Sequence, residues 1–339
     1  MQKKNKSNHI KLIVNPGAGD AVESGHKLEQ VTNYLEMKGW KVDVSPIKSL
    51  EKATSIASRA KKKGYKIVIA MGGDGTVEAV MRSMVNSKAH LGIIPSGKEN
   101  HIAKKLDIPL TIEESCALIL SDDAIKLDMG QIKTRKGKKF VFFQMASIGL
   151  PTDIYYDANK AAIKRLSDNK TEREINFPLK KQPKFELTLN GESKMKVKTR
   201  VVMVSNTPVI WKYFKVAPDV SLQDGLLDVY IYPDSSDSEL LSYYTAMLDG
   251  GYSGDVEIQH YLVKKLKVKT SPRLDVLSAG IVCGKGRVSI KVLPKALRVI
   301  SPMKSQDMKE KQEDTTEGDL PGPVCYIVEK KQKMDCVVL

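Results

Sequence analysis

Residues 66–71 (KIVIAM) form an almost unbroken apolar run that ends in Gly72-Gly73-Asp74-Gly75-Thr76 and leads into a helical pattern over 77–86. A strand that is apolar on both sides needs cover on both faces, as the central strands of parallel sheets have. A glycine-rich turn with an acid and a hydroxyl, set between such a strand and a helix, is also a phosphate-binding arrangement. Glycines let the backbone approach phosphate oxygens and take φ values denied to side chains. The helix behind them presents unpaired N–H groups and the positive end of its dipole. Thr76 can cap that helix and donate to a phosphate. Asp74 can hold Mg²⁺ or accept the proton of an attacking hydroxyl.

The neighbouring segments keep up the alternation. Residues 11–14 read as a short strand ending in Asn15-Pro16-Gly17-Ala18-Gly19, 22–38 as a helix stopped by Gly39, 40–44 as a strand, 50–63 as an amphipathic helix closed by Gly64, and 91–94 as a strand. This order predicts a parallel sheet with helices on both faces. Beyond about residue 125 strands dominate: 124–128, 140–146, 185–189, 197–204, 226–231, 266–269 and 288–292, with turn signals at Lys136-Gly137 and Asn190-Gly191. Helices are expected at 152–164 and 238–248. The expected fold is therefore α/β. It has an N-terminal parallel-sheet nucleotide-binding domain over 1–128 and a β-rich, sandwich-like second domain over 129–302, whose last strand is free to return to the first. Residues 303–339 form a polar tail.

Composition narrows the partners. The 339-residue chain has a formal net charge of +15, with lysine-rich stretches at 133–139, 180–184, 194–200 and 264–269. That balance favours anionic partners, and an anionic membrane surface accounts for it. No nucleic-acid recognition motif accompanies the charge, so no nucleic-acid partner is expected. Four cysteines and five histidines show no pairing or ligand spacing, which argues against a disulfide framework or a zinc site and suits a reducing compartment such as the cytosol. No apolar run is long enough to span a bilayer.

Six motifs in order resemble one family. Gly72-Gly73-Asp74-Gly75-Thr76 resembles the GGDGT signature shared by diacylglycerol, sphingosine, ceramide and NAD kinases. Asn15-Pro16-Gly17-Ala18-Gly19 is similar to the NPxxG turn of the lipid kinases among them. Residues 94–103 (IPSGKENHIA) resemble their P-x-G-T-x-N-D-x-A segment, and Leu127-Asp128-Met129-Gly130 their domain-junction aspartate. Val216-Ala217-Pro218 with residues 224–229 (DGLLDV), and residues 292–297 (VLPKAL), resemble the two late motifs. The chain is identified as resembling the diacylglycerol kinase and sphingosine kinase catalytic-domain family, in its bacterial form.

The resemblance implies an ATP-dependent kinase that phosphorylates a lipid hydroxyl on diacylglycerol, sphingosine or a related lipid. It implies that Asn15, Gly17, Gly72, Gly73, Asp74, Gly75 and Thr76 cradle the nucleotide phosphates, with Ser45, Gly97, Lys98 and Asn100 beside them. It implies a Mg²⁺ held by the Asp224 carboxylate with carbonyls of Ser221 and Leu226. Hard oxygen donors on a turn suit that ion. Lys98 stands where the family has threonine, and His101 where it has aspartate. Many bacterial members carry an Asp-Gly-Glu hairpin that supplies the general base. The gap-free match here is Ala279-Gly280-Ile281, and a shifted alignment offers Asp275 with Leu277 in the glutamate position. Two readings stay open. Either Asp74, or Asp275, serves as the catalytic base, or the chain is a membrane-tethered, catalytically impaired protein of the same fold that binds nucleotide or lipid.

The chain ends Cys336-Val337-Val338-Leu339, which is similar to a prenylation box whose terminal leucine favours a geranylgeranyl group. Lys330, Lys331 and Lys333 supply the second, basic signal that stable anchoring needs. The expected location is the cytoplasm, at a membrane periphery through Cys336. For a bacterial chain the modifying enzyme would be a host prenyltransferase, in a host cell. The particular lipid and the oligomeric state are not legible in the sequence.

Overall fold

The structure, a computed structural model, describes residues 8–18, 21–149, 182–207, 221–232 and 258–303. In chain order these form β1 (His9–Val14), α1 (Ala21–Met37), β2 (Lys41–Pro46), α2 (Leu50–Lys63), β3 (Ile67–Gly72), α3 (Asp74–Met84), β4 (His90–Pro95), α4 (His101–Lys105), α5 (Ile112–Ser121), β5 (Ala124–Thr134), β6 (Lys139–Phe142) and β7 (Met145–Ile148). There follow β8 (Lys184–Leu189), β9 (Ser193–Lys198), β10 (Val202–Ser205), β11 (Leu227–Ile231), β12 (Gln259–Val263), β13 (Lys265–Ser271), β14 (Asp275–Ser278), β15 (Ile281–Lys285) and β16 (Arg287–Ile300). They divide into two compact units. One runs to Met129 and resumes at Pro294; the other is Gly130–Leu293.

In the first unit the strands lie in the order β2-β1-β3-β4-β16, all parallel. Strand β3 is buried along its whole length, as its unbroken apolar run requires. Alternate side chains point to opposite faces. On one face Ile10, Leu12, Ile67, Ile69 and Met71 pack with Val31 and Leu35 of α1 and with Cys116 and Ile119 of α5. Helices α2 and α3 pack on each other, and α2 buries Ala53, Ile56, Ala57 and Ala60. Gly64 ends α2 in the left-handed conformation at φ 73°.

The second unit places two antiparallel sheets around one core. The first has the order β12-β11-β10-β7-β14-β15, and the second joins β16, β13, β8 and β9, with β5 and β6 beside β16. Val202, Val204, Val229, Leu266, Val268, Phe185 and Ile290 are among the side chains of that core. Asn190-Gly191 turns β8 into β9 with φ 50° and 92°, as a two-residue hairpin needs.

Two expected strands break where the chain changes sheet. The run 140–146 divides into β6 and β7, because Asn206 holds the corner: its Nδ2 donates to Phe143 O at 3.0 Å and its N–H to Gln144 O at 2.9 Å. The run 197–204 divides into β9 and β10 around buried Thr199, whose Oγ1 donates to Tyr232 O at 2.7 Å. Helices α4 and α5 escaped the periodicity reading because they are only 5 and 10 residues long. A capping box did mark α5: Glu114 N donates to Thr111 Oγ1 at 3.4 Å, and that hydroxyl donates to Glu114 Oε2 at 2.6 Å. The helices expected at 152–164 and 238–248, the Val216-Ala217-Pro218 motif and the tail with Cys336 lie outside the described residues.

Burial pulls the ammonium of Lys105, in the last turn of α4, down to about 7. The unfolded chain then holds more protons than the folded one between pH 7 and about 10, so this residue's contribution to stability rises with pH across that window. Chemical denaturation at pH 6.5 and 9.5 checks it: Lys105→Met should be stabilised more at the lower pH and show the smaller difference between the two.

Candidate active site

The strand order places the first connection of the sheet on one side of β1 and the later ones on the other, so the topological switch lies between β1 and β3. Ligands of open α/β sheets bind outside the carboxyl ends of the strands at such a point. The Asn15 turn follows β1, the 72–76 bend follows β3, and the 96–100 turn follows β4.

These three segments are tied together. Asn15 N–H donates to Met71 O at 3.0 Å, and Asn15 Nδ2 to Thr76 Oγ1 at 3.2 Å. Gly17 N–H donates to Asn15 Oδ1 at 3.2 Å. Helix α3 starts at Asp74, three residues earlier than its apolar pattern, because glycine and aspartate carry no hydrophobic signal. Gly73 is its N-cap residue, so buried Thr76 sits in the first turn and holds Asn15 instead of capping the helix. Thr76 also excludes a side chain at position 72, where a Cβ would lie 2.7 Å from Thr76 Cβ.

The 72–76 bend and the 97–100 turn touch backbone to backbone. A Cβ on Gly97 would lie 2.5 Å from Gly73 Cα. The Asn100 side chain closes the second turn on itself, accepting from Gly97 N at 3.0 Å and donating to Gly97 O at 2.8 Å, with Asn100 at φ 53°. Asp74 then bridges the two: its carboxylate accepts from Ile102 N at 2.7 Å and His101 N at 3.0 Å, the first amides of α4. Sequence reasoning missed these amide partners, since backbone donors leave no mark in side-chain identity; the asparagine just before them was the one available signal. Gly75 is exposed, so the mouth of the bend is open. Lys98 is exposed in the second turn, and Ser45 is half-buried on β2, level with Ile13 of β1.

The remaining candidates belong to the second unit. Asp224 Oδ1 accepts from Leu226 N at 2.9 Å across Gly225 at φ 76°, and Ser221 Oγ accepts from Gln223 N at 3.2 Å. The turn carries a carboxylate and backbone carbonyls within a few residues, oxygen donors of the kind Mg²⁺ takes. Asp275 pairs with Lys285, Nζ to Oδ1 at 3.2 Å, at the base of the β14–β15 hairpin. The tip is Ala279-Gly280, at φ 46° and 71°. Asp275 therefore sits about 14 Å down the strand from that tip, at about 3.4 Å per residue. A further pair was not foreseen. Pairing of β11 with β12 brings His260 Nε2 to 2.7 Å from Asp228 Oδ1, with the imidazole stacked on Tyr230 at 4.6 Å.

Gly97→Ala tests the contact between turns. The methyl must push the Gly73 backbone away, so nucleotide affinity should fall at least tenfold, with a loss of about 1–3 kcal/mol in stability. Titration calorimetry and denaturant midpoints read the two effects separately.

Comparison with known proteins identifies the domains and the fold. Residues 9–132 match the diacylglycerol kinase catalytic domain, and residues 179–301 match the YegS C-terminal NAD kinase beta sandwich-like domain. A diacylglycerol kinase of Bacillus subtilis (strain 168) is 26% identical over 272 residues, covering 78% of this chain and 87% of that protein. A diacylglycerol kinase of Mycobacterium tuberculosis (strain ATCC 25618 / H37Rv) is 25% identical over 313 residues, covering 86% and 95%. A solved diacylglycerol kinase structure from Bacillus anthracis str. Sterne shares the fold at TM-score 0.62 and 20% identity, over 88% of this chain and 98% of that one. Yeast NADH kinase shares it more distantly, at TM-score 0.52 and 10% identity, over 94% and 91%. Residues 9–132 thus belong to the diacylglycerol kinase catalytic-domain family, a YegS-type C-terminal domain follows, and the protein is a kinase with an alcohol acceptor.

Proposed function

We propose that the protein transfers the γ-phosphoryl group of ATP to a lipid hydroxyl at an anionic membrane surface, with diacylglycerol the first candidate acceptor and sphingosine or a related lipid the next. The observation that carries this reading is the Asp74 clasp, which sets two glycine turns side by side next to the switch point of a parallel sheet. Backbone amides of Gly73, Asp74 and Gly75 at the start of α3 suit a polyphosphate, and the helix dipole adds to them. Asn15 and Thr76 would set the depth of the phosphates, with Gly17, Gly72, Gly97 and Asn100 shaping the turns and Lys98 adding a point charge. Ser45 would contribute from β2.

ATP supplies the transferred phosphoryl group. Phosphoryl transfer depends mostly on positioning and charge neutralisation, with an acid to receive the hydroxyl proton. Asp74 is the candidate for that proton, because both carboxylate oxygens already have fixed directions set by the α4 amides. Mg²⁺ at Asp224, with carbonyls of Ser221 and Leu226, would brace the Asp224-Gly225 turn. Asp275 is the alternative base, and the Lys285 pairing would have to open for it to act.

A panel of detergent-dispersed lipids with labelled ATP tests the proposal. Label should enter diacylglycerol or a close relative, and Asp74→Asn should lower the rate by about a hundredfold or more. A panel that stays unlabelled would remove the kinase reading.

The second reading, a protein that binds without turnover, is favoured by one observation: the hairpin tip presents Ala279, Gly280 and exposed Ile281 where many bacterial members have two acids. Ala279→Asp with Ile281→Glu separates the readings. A rate that rises tenfold or more from near background supports impaired catalysis, and an unchanged rate supports a base elsewhere. Aspartate also tolerates the left-handed φ at 279 better than alanine does, so the pair should not unfold the hairpin.

A further inference from the structure

The second unit has a sheet face whose charge the site does not use. Strands β9, β8, β13 and β16 send alternate side chains inward to the core and outward to solvent, and β13 reads exposed-buried along its whole length. The outward rungs are set by register. Lys265 stands directly opposite Lys291, and Lys269 opposite Arg287. On the next strands Lys184 faces Lys198, and Thr188 faces Lys194. On the other side of β16, Lys133 of β5 faces Lys139 of β6.

Like charges directly opposite each other across a sheet destabilise it, and surfaces ordinarily intersperse both signs. Here four rungs pair cation with cation. Among the described residues lining the shallow concavity of about 660 Å³ over this face, Glu186 is the one carboxylate, and Lys269 Nζ already holds it at 2.8 Å. Among the described residues lining the face, the remaining positive charge has no carboxylate counterpart. Its geometry also limits the partner. The lining is lysine, arginine, threonine, serine and glutamine around Val268 and Val288, without an aromatic residue on which a base could stack. It presents lysine and arginine side chains rooted on the backbone about 4.8 Å apart across strands and about 7 Å apart along them. Such a lattice suits many headgroup phosphates at once.

We infer that the outer face of β8, β13, β16 and β5, centred on Lys267, is a docking surface for an anionic phospholipid membrane. The choice of a membrane rests on the lipid-kinase reading above. It is also consistent with the absence, among the described residues, of any helix long and apolar enough to cross a bilayer.

The test uses the full chain produced in bacterial cells, where no prenyl group is added, with vesicles of phosphatidylcholine alone or mixed with phosphatidylglycerol. Wild-type protein should sediment with the anionic vesicles, not the neutral ones, and rising salt should release it. Lys267→Gln should weaken partition by about fivefold, the factor expected per cation at such a surface. Lys133→Glu/Lys265→Glu/Lys267→Glu should abolish it, with a melting temperature no lower than wild type because the Lys133–Lys139 and Lys265–Lys291 rungs become opposite-charge pairs. Lys52→Glu/Lys62→Glu/Lys88→Glu, with the same net charge but on the first unit, should keep most of the binding. Phosphorylation of a short-chain, water-soluble diacylglycerol should be unchanged in the sheet-face triple variant. The docking surface is overturned if that triple variant binds as wild type does, if the control triple loses as much, or if neutral vesicles bind equally. It is also overturned if single-stranded RNA at equal phosphate displaces the vesicles, which would make the face a nucleic-acid site. Vesicle binding without phosphorylation of any lipid would instead defeat the kinase reading and leave the surface standing.

Discussion

The first unit depends on one buried-edge interaction: the Asp74 carboxylate receives the leading amides of α4. Helix N-termini leave N–H groups without partners inside the helix, and an anion is their natural complement. Here the anion comes from the first residue of the neighbouring helix, α3. The consequence is that two strand-to-helix turns, which parallel-sheet topology places side by side, cannot drift apart. Gly73 and Gly97 exist because the clasp brings the backbones too close for side chains. Helix α4 has 5 residues and could not persist alone, so the clasp also explains why it forms.

A comparable economy appears where β16 passes Pro294. Asp128, fully buried at the end of the first unit's chain segment, accepts from Lys295 N at 2.6 Å, and Lys295 has φ 50°. Asn86 N donates to Ala296 O at 2.7 Å. The aspartate of the Leu127-Asp128-Met129-Gly130 motif thus has a structural use, fixing an irregular point in a 14-residue strand. Gly130 is required for a different reason: a Cβ there would lie 2.0 Å from the Phe142 ring. In the second unit Asn206 plays the equivalent part by stitching the corner between β6 and β7.

Much of the fold was legible because its signals are local. The apolar run of β3, the Gly64 end of α2, and the Asn190-Gly191 hairpin each follow from neighbouring residues. The glycine bend was legible for the same reason. What escaped depended on partners far along the chain. The breaks near 144 and 200 are set by Asn206 and Tyr232, and an unbroken β pattern hides them. The His260–Asp228 pair spans 32 positions. The all-basic face was half visible as lysine clusters, but only register showed that cation faces cation.

By itself, the sequence determined the class of fold, the place of the glycine bend after β3 and the excess of positive charge. Periodicity, glycine and net charge are properties that a residue and its near neighbours carry with them. Tertiary structure alone decided that Asp74 reaches α4, that Gly73 lies against Gly97, and that scattered lysines share one surface. Those are distances between segments, and only the packing of the chain brings such segments within reach of one another.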